Sequence, residues 1–366
     1  MIFEVICINT LSVNIGSLWG AVWPYLIAVL LFGVIITIHE LGHFTFAKLF
    51  KVKVNEFALG MGPTLFKKKF GETTYALRLF PIGGFVSMEG EEEASEADGA
   101  FNKKPAWQRF IIVAAGAVLN LILGVIVVAV TLSGQGIVGS RTVHSFLDNA
   151  VSQQSGLKVG DEIVKIDSTP VYSYRGIGFN LIRGNDNKVD MTVIRDGKKI
   201  VLKDVTFNQF EFEGKQYIEQ DFKIVGYDPT FGNVLKNSIL DSASIVQMVR
   251  LSLVDLCTGK YGLKDISGPI GTITTIAEST AEGGESVADK MMTALVLLSY
   301  ITINVGVFNL LPIPALDGCM LFMLIIEMIR RKPLDQNKVG KVQTIGLVVL
   351  LAFMAVVTIS DIIKQF

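Results

Sequence analysis

Four stretches of this 366-residue chain are long and apolar enough to cross a bilayer core, which takes about 20 mostly apolar residues in a helix. The first runs from Trp23 to Leu49, with Pro24 suited to the first helical turn and no charge between Pro24 and Ile38. The others are Phe110 to Leu132, Met291 to Leu311 and Thr344 to Ser360, all three without a charge. Charged residues make up only 18% of the chain, where a soluble domain carries roughly a quarter. A net charge of −1 argues against a nucleic-acid partner. Cys7, Cys257 and Cys319 are scattered and odd in number, so they make neither a disulfide framework nor a cysteine metal site. A polytopic α-helical membrane protein remains, with room for one soluble domain. The N-terminus lacks the basic region of a cleaved signal peptide.

Basic residues in the short flanks set the expected orientation. Residues 48–109 hold ten lysines and arginines and 330–341 hold five more, whereas the first 22 residues hold none. Both termini are therefore expected outside, with 48–109 and 330–341 in the cytoplasm. The division that follows is 1–133 for the first two spans, 134–210 for an exterior β-rich domain, 211–290 for an exterior linker and helix, and 291–366 for the last two spans. Within the exterior domain, Ile163–Ile166 and Met191–Arg195 read as strands, and Asp196-Gly197 as a hairpin turn. Val234 to Cys257 has helical spacing of apolar residues (Ile239, Ala243, Val246, Val249, Leu253), which suits a helix on the membrane surface or one packed in a domain. Glu89 to Asp98 is an acidic run read as a solvated loop.

The chemistry is concentrated in His39-Glu40-Leu41-Gly42-His43. Four residues advance a helix by about 400°, so both imidazoles share one face and can reach one Zn²⁺. Glu40 projects to the side, placed to take a proton from the attacking water. Ionisable groups within an apolar span each cost about 3 kcal/mol, so three together need a reason, and a metal supplies one. A tetrahedral site still needs a third protein ligand. The best candidate is Asp317, in Asn309-Leu-Leu-Pro-Ile-Pro-Ala-Leu-Asp-Gly318, where Pro312 and Pro314 end the third span as a helix. The alternative reading of Asp317 is a helix N-cap. Glu327, beside Arg330 and Arg331, reads as an interfacial charge.

This combination closely resembles the site-two protease family of intramembrane zinc metalloproteases, in its RseP-type bacterial branch with a single exterior PDZ domain. Further segments carry the likeness: Phe57-Ala-Leu-Gly-Met-Gly-Pro63, Arg78 to Met88, Ala114-Ala-Gly-Ala-Val-Leu-Asn120, Ser155 to Ile166 and Ser267-Gly-Pro-Ile-Gly271. The resemblance implies His39, His43 and Asp317 as zinc ligands, Glu40 as general base and acid, and Asn309 as a residue that helps hold the substrate strand. It implies single-pass transmembrane substrates, such as trimmed anti-sigma factors or leftover signal peptides, and the bacterial inner membrane as location. Ala117 departs from the family's usual proline.

A transmembrane substrate must unwind before cleavage, and an unwound strand in lipid needs hydrogen-bond partners. Arg78 to Met88 can supply an edge strand in a membrane-associated β-hairpin, with Gly83 and Gly84 permitting the turn and Val86 within the strand. An ordinary cytoplasmic hairpin is the alternative. Gly116, Asn120 and Gly124 form a small-residue stripe for close helix contact, with one polar group toward the bundle. The rival functions are a transporter with an intramembrane metal site, which should show inverted repeats not found here, and a PDZ scaffold, which leaves HExxH without a reason.

Overall fold

A computed structural model describes residues 15–91, 93–184, 186–212, 214–260, 262, 268–284 and 286–365. The expectations for the extreme N-terminus and for Ser267 fall outside these residues. Four of the helices are long and apolar enough to span a membrane: α1 (Ile15–Leu49), α2 (Ala106–Gly134), α6 (Val287–Phe308) and α8 (Gln336–Gln365). Pro24 stands inside α1 and not in its first turn, because the apolar run already turns helical at Ile15. The cost is one missing amide donor within the helix.

The central helix is α2, which packs against both α1 and α6. Its small-residue stripe makes these approaches possible. A methyl group on Gly124 would lie 2.3 Å from Ile303 Cγ1 of α6, and one on Gly42 of α1 would lie 2.5 Å from the Ala115 carbonyl oxygen. Arg109 opens α2 with an ion pair to Glu327 of the short helix α7 (Asp317–Arg330), both side chains buried. Glu327, read from the sequence as an interfacial charge, is thus a buried ion-pair partner. The packing of α7 on α2 brings in a partner 218 positions away. Breaking a buried pair by removing one partner strands the other charge. Arg109→Leu or Glu327→Leu alone should lower stability by about 3–5 kcal/mol, with the double substitution far milder, read from thermal unfolding of the purified protein.

Between the first two spans, β1 (Val54–Phe70) and β2 (Thr73–Met88) form a folded-back sheet. Residues 56–59 lie opposite both 74–77 and 84–87, and 66–70 lie opposite 73–77. The 84–88 segment is therefore an outer strand of this sheet. The acidic run that follows is not simply solvated. Ser95, Asn55 and Lys53 all donate to Glu89 and hold its carboxyl down at about 2.

After α2 comes a mixed domain: β3 (Val138–Phe146), β4 (Glu162–Ile166), β5 (Thr169–Pro170), α3 (Tyr174–Arg183), β6 (Lys188–Arg195), β7 (Lys198–Thr206), β8 (Gln209–Phe212), β9 (Lys215–Ile218) and β10 (Phe222–Tyr227). The main sheet runs β10-β3-β4-β6-β7, with β5 on β4. The Asp196-Gly197 hairpin is present, with φ of 50° and 74°, the paired left-handed conformations of a type I′ turn. The domain does not close at residue 210. β10 completes the sheet against β3, and buried Phe222 joins the core of Leu157, Ile163, Met191 and Val193.

Helix α4 (Phe231–Cys257) is the helix that the apolar spacing predicts. Of the five apolar positions read from the spacing, Val249 is buried, while Ile239 and Val246 are exposed. The inward face carries Ser238, Asp241, Ser242 and Ile245, and packs on α2, α3 and α6. Two ion pairs hold that face inward. Arg175 of α3 bonds Asp241 at 3.1 Å and Tyr300 of α6 at 3.1 Å, and Arg183 bonds Asp255 at 2.6 Å. Helix α5 (Pro269–Glu282) lies against α1, α6 and α8.

Candidate metal centre

His39 and His43 stand one turn apart on α1 and turn their rings toward α2 and α7. Their Nε2 atoms are 3.2 Å apart, and Asp317 Oδ2 lies 3.1 Å from the first and 3.3 Å from the second. Four ligands at 2.0–2.1 Å around a tetrahedral ion stand about 3.3–3.4 Å from each other, so these three spacings fit such an ion. Asp317 Oδ2 is buried and has no hydrogen-bond donor. Among the described residues, this is the one cluster of three His, Cys, Asp or Glu side chains that could hold a metal.

Each candidate ligand atom is aimed by its surroundings. His43 Nδ1 is 3.0 Å from the Ile112 carbonyl, which can only accept, so Nδ1 carries the proton and Nε2 presents its lone pair. His39 Nδ1 faces the Asn120 amide at 3.5 Å, deep against α2. Gly116 leaves space for both rings: a methyl there would sit 2.4 Å from His43 Nε2. Asp317 is the first residue of α7, after the loop that Pro312 and Pro314 release from α6. Ala315 takes φ 76° in that loop, and its amide donates to Gln343 Oε1 of α8 at 2.8 Å. Gly318 lets the chain turn, since a methyl there would lie 2.0 Å from the Leu311 carbonyl oxygen.

The strand 84–88 passes directly beside Glu40. The Val86 amide donates to the Glu40 carboxylate, which also interacts electrostatically with His43, His39 and Asp317. Gly83 has φ 90°, and a methyl on Gly84 would stand 3.3 Å from Glu40 Cγ. Glu40, Gly84 and Val86 thus meet at the triad. Asn309 ends α6 and lines a mostly apolar cavity of about 590 Å³ between α1, α5, α6 and α8. Asn304, which the sequence reading passed over, lines the same cavity with a buried side-chain oxygen that has no partner. Its signal was available: a second amide in an otherwise apolar span.

Comparison with known proteins gives the same picture. The sequence pattern described as Peptidase family M50 matches residues 27–353. A protein of Clostridium acetobutylicum assigned as a zinc metalloprotease is 38% identical over 347 residues, covering 92% of this chain and 96% of its own length. One from Clostridium perfringens is 35% identical over 337 residues, covering 92% and 97%. The regulator of sigma-W protease RasP of Bacillus subtilis is 28% identical over 423 residues, covering 92% and 98%. A pattern match over most of the chain, with relatives that align along nearly their whole length, makes this protein a member of peptidase family M50, the site-two proteases.

Proposed function

We propose that this protein is a zinc metalloprotease that cleaves single-pass membrane proteins within or at the edge of the bilayer, with His39, His43 and Asp317 as metal ligands. The convergence of three ligand atoms at tetrahedral spacing inside a set of membrane-crossing helices is the observation that carries the reading. Bound zinc supplies Lewis-acid polarisation of the scissile carbonyl and makes a water acidic enough to attack near neutral pH. Glu40 receives the proton of that water on its carboxylate and returns it to the leaving amine. Val86 holds Glu40 in position through its backbone amide.

The outer strand at 84–88 receives the unwound substrate by strand addition, and the sheet lies at the membrane. The apolar cavity offers Asn304 and Asn309 to a substrate segment whose amides have left their helix. The 134–227 domain is PDZ-like and exterior. Its substrates are of the kind that the name of the Bacillus relative points to, proteins that control a sigma factor.

Two experiments test this. The purified protein should hold one zinc per chain, lose it in H39A/H43A, and lose cleavage of a reconstituted single-span substrate on chelation, with recovery on adding zinc. Full zinc retention by H39A/H43A would refute the ligand set. For topology, a membrane-impermeant thiol reagent applied outside should label Lys199→Cys and miss Glu96→Cys; the reverse pattern would overturn the orientation.

A further inference from the structure

Residues 61–72 of the folded-back sheet are all exposed. Met61, Leu65, Phe66, Phe70, Leu79 and Phe80 are between 47% and 75% exposed, more contiguous apolar surface than a protein usually shows to water. The fold gives this hairpin a definite depth along α1. Its turn sits at the end of α1, where Glu72 bonds Lys48 at 2.9 Å and Thr73 Oγ1 donates to the Val54 carbonyl at 2.8 Å. The opposite end of the sheet reaches Ile36 and Glu40 at Gly84. Eight residues of helix separate Glu40 from Lys48, about 12 Å.

Lys67, Lys68 and Lys69 lie next to the shallow turn, and Met61, Leu65 and Phe80 lie toward the deep end. Among the described residues, none of the three lysines makes an ion pair, although neighbouring Lys48 and Lys53 do. In the nearby acidic run, Glu89 is taken by Lys53 and Glu96 by Lys103. Successive strand residues point to opposite faces, so Lys67 and Lys69 stand on one side and Lys68 on the other, with Phe66 and Phe70. Charge therefore surrounds the strand at one level, with Met61, Leu65, Phe66 and Phe80 below it and Phe70 at the turn.

We infer that this hairpin binds anionic phospholipid: its apolar side chains enter the acyl region, and Lys67, Lys68 and Lys69 engage headgroup phosphates around the C-terminal end of α1. A soluble polyanion would match the lysines and leave the apolar side chains in water, whereas a lipid leaflet covers both. The inference rests on the membrane placement of the sheet proposed above, and the test separates the two.

Full-length protein is reconstituted in nanodiscs of phosphatidylcholine with increasing phosphatidylglycerol, and retained lipid is counted by native mass spectrometry. K67Q/K68Q/K69Q should retain phosphatidylglycerol about 100-fold more weakly at low salt, at about 1 kcal/mol per lysine. K67R/K68R/K69R should retain it like the wild type, as should the exterior control K198Q/K199Q. Equal retention by the glutamine variant and the wild type overturns the inference. A fluorophore on Phe66→Cys should be quenched by lipids brominated along their acyl chains. Absence of quenching would remove the membrane placement itself, and with it both readings.

Discussion

Replacing Glu40 with glutamine should abolish cleavage, by about 10²–10⁴-fold, while zinc stays bound at one per chain. Glutamine keeps the shape of the side chain and its bond to the Val86 amide, through the carboxamide oxygen, but it cannot take a proton from water. In the proposed site the ligand atoms belong to His39, His43 and Asp317, so metal content should not follow activity in this variant. Asp317→Asn should behave in the opposite sense, with weakened zinc occupancy, because a neutral amide is a poorer ligand than a carboxylate. Turnover by Glu40→Gln at the wild-type rate would remove Glu40 from the mechanism.

Val86→Pro should lose most cleavage, whereas Val86→Thr should keep most of it. Proline deletes the amide that bonds Glu40 and fixes φ in a strand that must stay extended. Threonine keeps the amide and the β-branched preference for extended backbone. Zinc content should be the same in both, since neither touches a ligand. A substrate with Gly or Pro near its scissile bond should partly rescue a weakened strand, because less helix has to be unwound. Equal cleavage by both variants, each folded and zinc-loaded, would leave strand addition at 84–88 without support.

Local patterns in the chain were enough to locate the four helices long and apolar enough to span a membrane and the one that carries His39 and His43. Charge-free runs define bilayer-crossing helices wherever they occur, and His39 and His43 share a face because four residues make about one turn. The Asp196-Gly197 turn was legible for the same reason, since its left-handed geometry is a property of those two residues. Asp317 was nominated from the scarcity of acidic residues beside apolar segments. Its oxygen, however, is brought to 3.1 Å from His39 only by the way α7 folds back on α2.

The failures have one cause: burial depends on partners distant in the chain. Glu327 had two arginines within four positions, yet it pairs with Arg109, because the α2–α7 contact buries those two together. The apolar spacing of helix α4 does not tell which of its faces meets protein; Arg175 and Arg183 draw its acidic and small residues inward and leave Ile239 and Val246 outside. From the sequence β10 falls in a linker, because nothing in Phe222 to Tyr227 announces that β3 lacks a neighbour. The sequence by itself thus determined which segments are long and apolar enough to cross a membrane and which residues are candidates for the chemistry, since both are written in spacing and side-chain type. Tertiary structure alone decided which face of each helix is buried, where the sheet closes, and that the Val86 amide meets Glu40, because these depend on contacts between segments that no local period encodes.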